Sequence, residues 1–168
     1  MSDAFESLWQ FTASQPIALQ CLIVLLTGAI PFLESYYGSV IGIIAGVPAL
    51  LAIPAAITGN MASTIGVIYV IHLRQNHRQS YQGHSAHADA TEFQTNLRNP
   101  KLRRRFEKYG IAGVSLGSQV ILPSQITAAT LIRAGMPIRK VALWQGLSIT
   151  LWGILYGSLA AFGIGLLT

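Results

Sequence analysis

The sequence predicts an all-α integral membrane protein made of two inverted repeats, each a re-entrant helical hairpin followed by one transmembrane helix. Three observations carry this prediction. Long stretches hold no charged side chain, every basic residue lies in one central region, and the signature Ala-Gly-x-Pro occurs twice, each time between a broken apolar stretch and a long one.

Of 168 residues, 52% are hydrophobic and only 10% charged, against about a quarter charged in a soluble domain. Residues 16–33, 38–73 and 110–132 contain no Lys, Arg, Asp or Glu, and none occurs from Val141 to Thr168. Runs this apolar and this long suit a bilayer better than a water-soluble core. The eleven Lys and Arg residues all fall between Arg74 and Lys140, eight of them in 74–108 and a smaller group at Arg139-Lys140. Short basic loops remain cytoplasmic. The sequence therefore predicts a multi-pass protein of the inner (plasma) membrane, with residues 74–108 cytoplasmic and both termini outside. The net charge of +5 is then a topology signal, and no nucleic-acid partner is expected. Asp3 and Glu6 stand where a secretory signal would be basic, so no cleaved signal peptide is expected. Cys21, the only cysteine, lies in an apolar run and offers neither an internal disulfide nor a metal cluster.

Residues 1–168 are expected to form a single membrane domain. In the first segment, 1–15, Phe5, Leu8 and Trp9 recur at helical spacing opposite Asp3, Glu6 and Gln10, the pattern of a short interfacial helix; a frayed terminus is the alternative. The first repeat is 16–73. It is interrupted at Pro31, Glu34, Tyr36-Tyr37, Gly46-Val47-Pro48 and Thr58-Gly59-Asn60. Three full spans would need roughly 60 residues plus turns, which these 58 cannot supply. Breaks at Glu34 and at Gly46-Pro48 leave pieces of about 14, 10 and 26 residues, of which only the last crosses the hydrocarbon. The basic loop, 74–108, ends in a helix opened by Asn99-Pro100, which carries Leu102, Phe106 and Tyr109 on one face and attracts anionic membrane lipids.

The second repeat, 109–168, follows the first. Ala45-Gly46-Val47-Pro48 returns as Ala134-Gly135-Met136-Pro137, with Pro123 where the earlier stretch has Pro31. Residues 109–133 thus read as a second hairpin and 138–167 as a second span. One span separates the hairpins, so they enter from opposite faces, the internal symmetry of many secondary transporters; five plain spans are the alternative. Gly38, Gly42 and Gly46 form one line of small residues, and Gly153, Gly157, Ala161 and Gly165 another. Such lines allow close backbone approach, within the fold or between subunits.

Glu34 is the sole acid in the apolar part of the chain. A carboxyl group held out of water disfavours its charge, which lets it exchange protons near neutral pH. A solvated loop position is the competing reading. Tyr36 and Tyr37 beside it give an aromatic face suited to a lipophilic cation, although tyrosines also populate membrane interfaces. Asn60, Gln119, Gln125 and Gln145 need partners across helices or in a wet cavity. Pro31 and Pro123 free carbonyls that can line such a cavity. Arg133 is placed to pair with an anion or with Glu34, or to snorkel to the cytoplasmic surface.

Other motifs carry less. His84 and His87 are three residues apart in a Ser-, Gly- and Gln-rich loop, so no metal site is expected. Gly113-Val114-Ser115-Leu116-Gly117 matches the nucleophile-elbow pattern, but no histidine follows His87 and the run lies in an apolar helix. No enzyme activity and no cofactor are expected.

The stretch Ala29-Ile30-Pro31-Phe32-Leu33-Glu34, with Ala45-Gly46-Val47-Pro48 and Gly59-Asn60, resembles the first half of the small multidrug export protein family. Glu107-Lys108-Tyr109-Gly110, Leu122-Pro123-Ser124 and Arg139-Lys140 resemble its second half, so the similarity covers roughly residues 20–160. That family is related in layout to the DedA superfamily, whose opposed re-entrant hairpins serve transport of lipids or small cations. The resemblance implies transport, and together with the embedded Glu34 it leads to the expectation of a small secondary transporter exporting amphiphilic or cationic compounds, coupled to protons through Glu34. Where the export family commonly has an arginine, this chain has Tyr36, and Val120 and Ile126 stand where DedA proteins carry arginines. This disfavours the alternative of a DedA-like flippase for a lipid such as polyprenyl phosphate. A membrane scaffold or assembly protein, with its glycine lines used only for contacts, is the second alternative. Two spans in so short a chain also suggest a homodimer.

Overall fold

The computed structural model describes residues 2–81, 110–119, 122–133 and 136–166. Among the described residues the chain is all-helical, with no strand. The helices are α1 (Ser2–Ala13), α2 (Ile17–Ala29), α3 (Glu34–Ile44), α4 (Ala49–Tyr81), α5 (Ile111–Ser118), α6 (Ser124–Arg133) and α7 (Ile138–Gly165). The helix expected after Asn99-Pro100 and the His84/His87 pair lie outside the described residues.

Helix length divides these elements into two kinds. α2 and α3 have 13 and 11 residues, so at about 1.5 Å per residue they reach only about 20 and 16 Å. Ala49–Arg74 of α4 and all of α7, at 26 and 28 residues, are long and apolar enough to cross a membrane. Their most apolar windows are only 33% and 22% buried, whereas the core helix of a soluble protein would be mostly covered. α4 exposes Leu50, Ile65, Tyr69 and Leu73, and along α7 the exposed Leu143, Leu147, Leu151, Leu155, Leu159 and Phe162 follow one another at three- and four-residue intervals. The buried positions include Glu34, Asn60, Gln119 and Gln145. Large apolar side chains outside and polar ones inside reverse the usual pattern of a water-soluble fold.

The first Ala-Gly-x-Pro signature has a specific local role. Gly46 takes φ +93° just past α3, a conformation that costs glycine little. Its N–H bonds the Ile43 carbonyl at 3.0 Å, and the Val47 N–H bonds the Gly42 carbonyl at 2.9 Å. These two bonds form a Schellman stop, and Pro48 cannot continue the helix. Gly46 is thus the terminator expected of the break at Gly46-Val47-Pro48, and with nothing within 4 Å of where its Cβ would be it takes no part in the packing line of Gly38 and Gly42. In the second signature the Met136 N–H likewise bonds a carbonyl five residues back, that of Leu131, at 3.0 Å.

Two further differences concern α4. Thr58-Gly59-Asn60, read as an interruption, lies within the unbroken helix, as does Pro54. The Thr58 hydroxyl donates to the Pro54 carbonyl at 2.7 Å, which satisfies a polar group without leaving the helix. α4 also runs through Arg74 and Arg78, so the basic segment begins as a continuation of the apolar helix.

The chain divides into two compact units, Met1–Ser63 with Leu147–Thr168, and Thr64–Gly146. In the first, α2 packs along α3 and α1 touches both. Val24, Ile43, Val47, Ala52 and Ala56 form its buried core. Glycines set the closest approaches: a Cβ on Gly28 would lie 2.9 Å from Ala56 Cα, and one on Gly42 would meet Val24 at 2.7 Å. Gly153 and Gly157 accommodate Ile57 and Ile53 in the same way. These small-residue positions are therefore occupied within the unit, whereas Gly165 faces open space. In the second unit α5 packs on α6, around a core that includes Ile68, Ile111, Ala128, Leu131 and Val141.

Candidate functional site

The turn between α2 and α3 is short and bent. Phe32 and Glu34 both adopt left-handed backbone angles, φ +73° and +51°. Such angles are uncommon outside glycine and cost about 1–3 kcal/mol each, and they cluster at functional sites. The Leu33 and Glu34 N–H groups both bond the Ile30 carbonyl, at 3.2 and 3.1 Å, which fixes the bend. Pro31 and Phe32 remain exposed at its outer side. The bend leaves Glu34 at the first position of α3, where its carboxylate suits the positive end of the helix dipole.

Glu34 is 0% exposed. Its neighbours hold α3 in place. The Ser35 hydroxyl donates to the Ile149 carbonyl of α7 at 2.9 Å, and the Ser39 hydroxyl donates to the Ser35 carbonyl at 2.6 Å. An aromatic series lies next to the acid. Tyr36 stacks at a tilt on Tyr37 and on Tyr156, with centroids 4.8 and 5.5 Å apart, and Tyr156 continues to Trp152 at 5.8 Å. Tyr37 is the open member, 44% exposed, while Tyr36, Trp152 and Tyr156 are half-buried. A buried carboxylate beside aromatic faces can hold a proton or an organic cation.

The first unit thus brings Glu34, Tyr36 and Tyr37 together, with Pro31 on the outside of the turn. Asn60 is fully buried in the same unit, on α4. Sequence reasoning missed Trp152, Tyr156, Ser35 and Ser39. The spacing of Trp152 and Tyr156, four residues apart on α7, was the available signal. Nothing in the sequence marks which face of α7 meets α3.

The second unit holds the other expected residues. Gln119, Pro123 and Gln125 lie at the α5–α6 connection, all buried. The Ser124 and Thr64 hydroxyls are 3.0 Å apart and hydrogen-bonded. Arg133 is exposed in the last turn of α6, where a cation complements the negative end of the helix dipole. Gly113–Gly117 of the elbow pattern lies on α5, with no strand among the described residues. No group of three or more His, Cys, Asp or Glu residues that could hold a metal ion occurs among the described residues.

Comparison with family models, with curated proteins and with solved structures finds no match.

Proposed function

We propose that this chain is a small secondary transporter of the inner membrane that exports amphiphilic or cationic compounds in exchange for protons. The observation that carries the reading is Glu34: a fully buried carboxylate on left-handed backbone, next to the Tyr37–Tyr36–Tyr156–Trp152 ring series. Taking a carboxyl group out of water is costly, and an ionisable side chain inside a membrane-embedded segment marks a candidate functional site. Protonated, Glu34 is neutral; ionised, it binds a cation whose apolar body rests on the rings. Proton and substrate then compete for one group, which is the minimal device for exchange.

The membrane setting is part of the proposal. Two helices of spanning length expose leucines along their sides, and α2 and α3 are too short to span. In this reading α2–α3 and α5–α6 are re-entrant hairpins, and the two halves are inverted repeats of the small multidrug export type. The shared five-residue closing bonds at Val47 and Met136 support the repeat. Residues 74–108 are cytoplasmic, the termini are outside, and the working unit is a homodimer.

The test is transport by the purified protein in liposomes. An outwardly decreasing proton concentration across the vesicle wall should drive accumulation of a fluorescent lipophilic cation, and Glu34→Gln should abolish that drive while inserting normally. Accumulation by the variant with unchanged pH dependence would refute the reading.

A further inference from the structure

The second unit sorts its buried side chains by polarity. Its apolar core gathers Ile68 of α4, Ile111 of α5, Ala128 and Leu131 of α6, and Val141 of α7. On each helix the buried polar residues lie to one side of those positions. Thr64 precedes Ile68, Ser115 and Gln119 follow Ile111, Ser124 precedes Ala128, and Gln145 follows Val141. The chain path brings these displacements to the same end. α5 ends at Ser118 and α6 starts at Ser124, so Gln119 and Ser124 both belong to that end, and the Thr64–Ser124 hydrogen bond adds α4. α6 turns into α7 at the opposite, apolar end, where Met136 belongs to the core, so α7 runs from Val141 towards the polar end. Gln145 is one helical turn on, about 6 Å along the axis.

Gln145 decides what this end holds. It is 1% exposed, and neither its amide nitrogen nor its amide oxygen has a hydrogen-bond partner among the described residues. A buried amide left dry costs about as much as a lost hydrogen bond or more. The other buried polar side chains of this unit are hydroxyls and amides, and no charged side chain is buried in it among the described residues. Gln145 presents two donors and an acceptor together, which a bare cation or anion would satisfy only in part. Water satisfies both, and a buried water typically takes about three hydrogen bonds from such groups.

We propose that the polar end of the second unit is an internal water-binding chamber, with Gln145 as the group that anchors the water. It goes beyond the transport reading and rests only on that reading's membrane-embedded fold. It would provide a hydrated step for protons or small polar groups inside an otherwise apolar chain.

The test uses the full chain with Cys21→Ala as background. Gln145→Cys should react with a small charged methanethiosulfonate, whereas Val141→Cys, equally buried but in the apolar core, should stay inert. Gln119→Cys repeats the measurement at the same end if the first variant does not fold. Gln145→Leu should lower Tm by about 2–4 °C, the shift expected for a lost hydrogen bond in a chain of this size. Polar-end cysteines as inert as Val141→Cys would overturn the chamber. So would a raised Tm for Gln145→Leu, because removing an amide from a dry site stabilises a fold. Neither readout involves a transported cation, so failure of the transport reading leaves both interpretable.

Discussion

Gly59→Ala should destabilise the protein although alanine is the better helix former. Gly59 lies in mid-α4 against the backbone of α2: an added Cβ would collide with the Leu25 carbonyl oxygen, and would sit 2.8 Å from its carbon and 3.2 Å from the Ala29 nitrogen. These are backbone atoms, so no side-chain rotation relieves the clash and the helices must separate. Overpacking of this kind costs about 1–3 kcal/mol, while replacing a helical glycine by alanine returns about 0.5–1 kcal/mol. The net loss of about 1–2 kcal/mol corresponds to a fall in Tm of roughly 2–8 °C for a chain of this length. Gly66 supplies the control on the same helix, because nothing lies within 4 Å of its Cβ position. Gly66→Ala should raise Tm by about 1–4 °C through propensity alone. Thermal unfolding of both variants in one detergent, followed by tryptophan fluorescence, reads the opposite signs. If Gly59→Ala behaved like Gly66→Ala, the close α2–α4 approach would be wrong.

Two other outcomes follow from the site and the charge distribution. Tyr156→Leu should weaken binding of tetraphenylphosphonium by the loss of a ring face, about 0.5–2 kcal/mol, read as a higher Kd by isothermal titration; an unaltered Kd would remove the aromatic series from recognition. Reporter fusions at either terminus should be active only when the reporter works outside the cytoplasm, since every basic residue lies between Arg74 and Lys140. Activity of a strictly cytoplasmic reporter at the termini would invert the topology.

Much of the helical layout was readable from punctuation in the sequence. Gly46-Val47-Pro48 ends one helix because glycine takes the left-handed angle and proline lacks the N–H, both properties of single residues. The division of residues 16–73 into two short pieces and a long one likewise followed from counting against bilayer thickness. Gly59 shows the limit of such reading. Flanked by Thr58 and Asn60, it carries the composition of a break, yet it sits inside a helix because α2 packs against it. The use of a glycine for turning or for packing is decided by its tertiary neighbours. The same holds at the site. Glu34 stood out as the only acid in an apolar run, and its adjacent tyrosines came with it. Trp152 and Tyr156 are separated from it by more than a hundred residues, and only the packing that joins Ser35 to Ile149 brings them alongside. Gln145 was visible as a polar residue in a span, but the lack of a partner for its amide among the described residues depends on the surrounding helices.

The central claim, that proton and cation compete for Glu34, is tested most directly by proton release. The purified protein, lightly buffered in detergent with a pH indicator, is mixed with tetraphenylphosphonium near neutral pH. The account predicts acidification that saturates with binding, a proton leaving for each cation bound, and no release from Glu34→Gln. Cation binding by the unmodified protein without proton release, or equal release from Glu34→Gln, would contradict it.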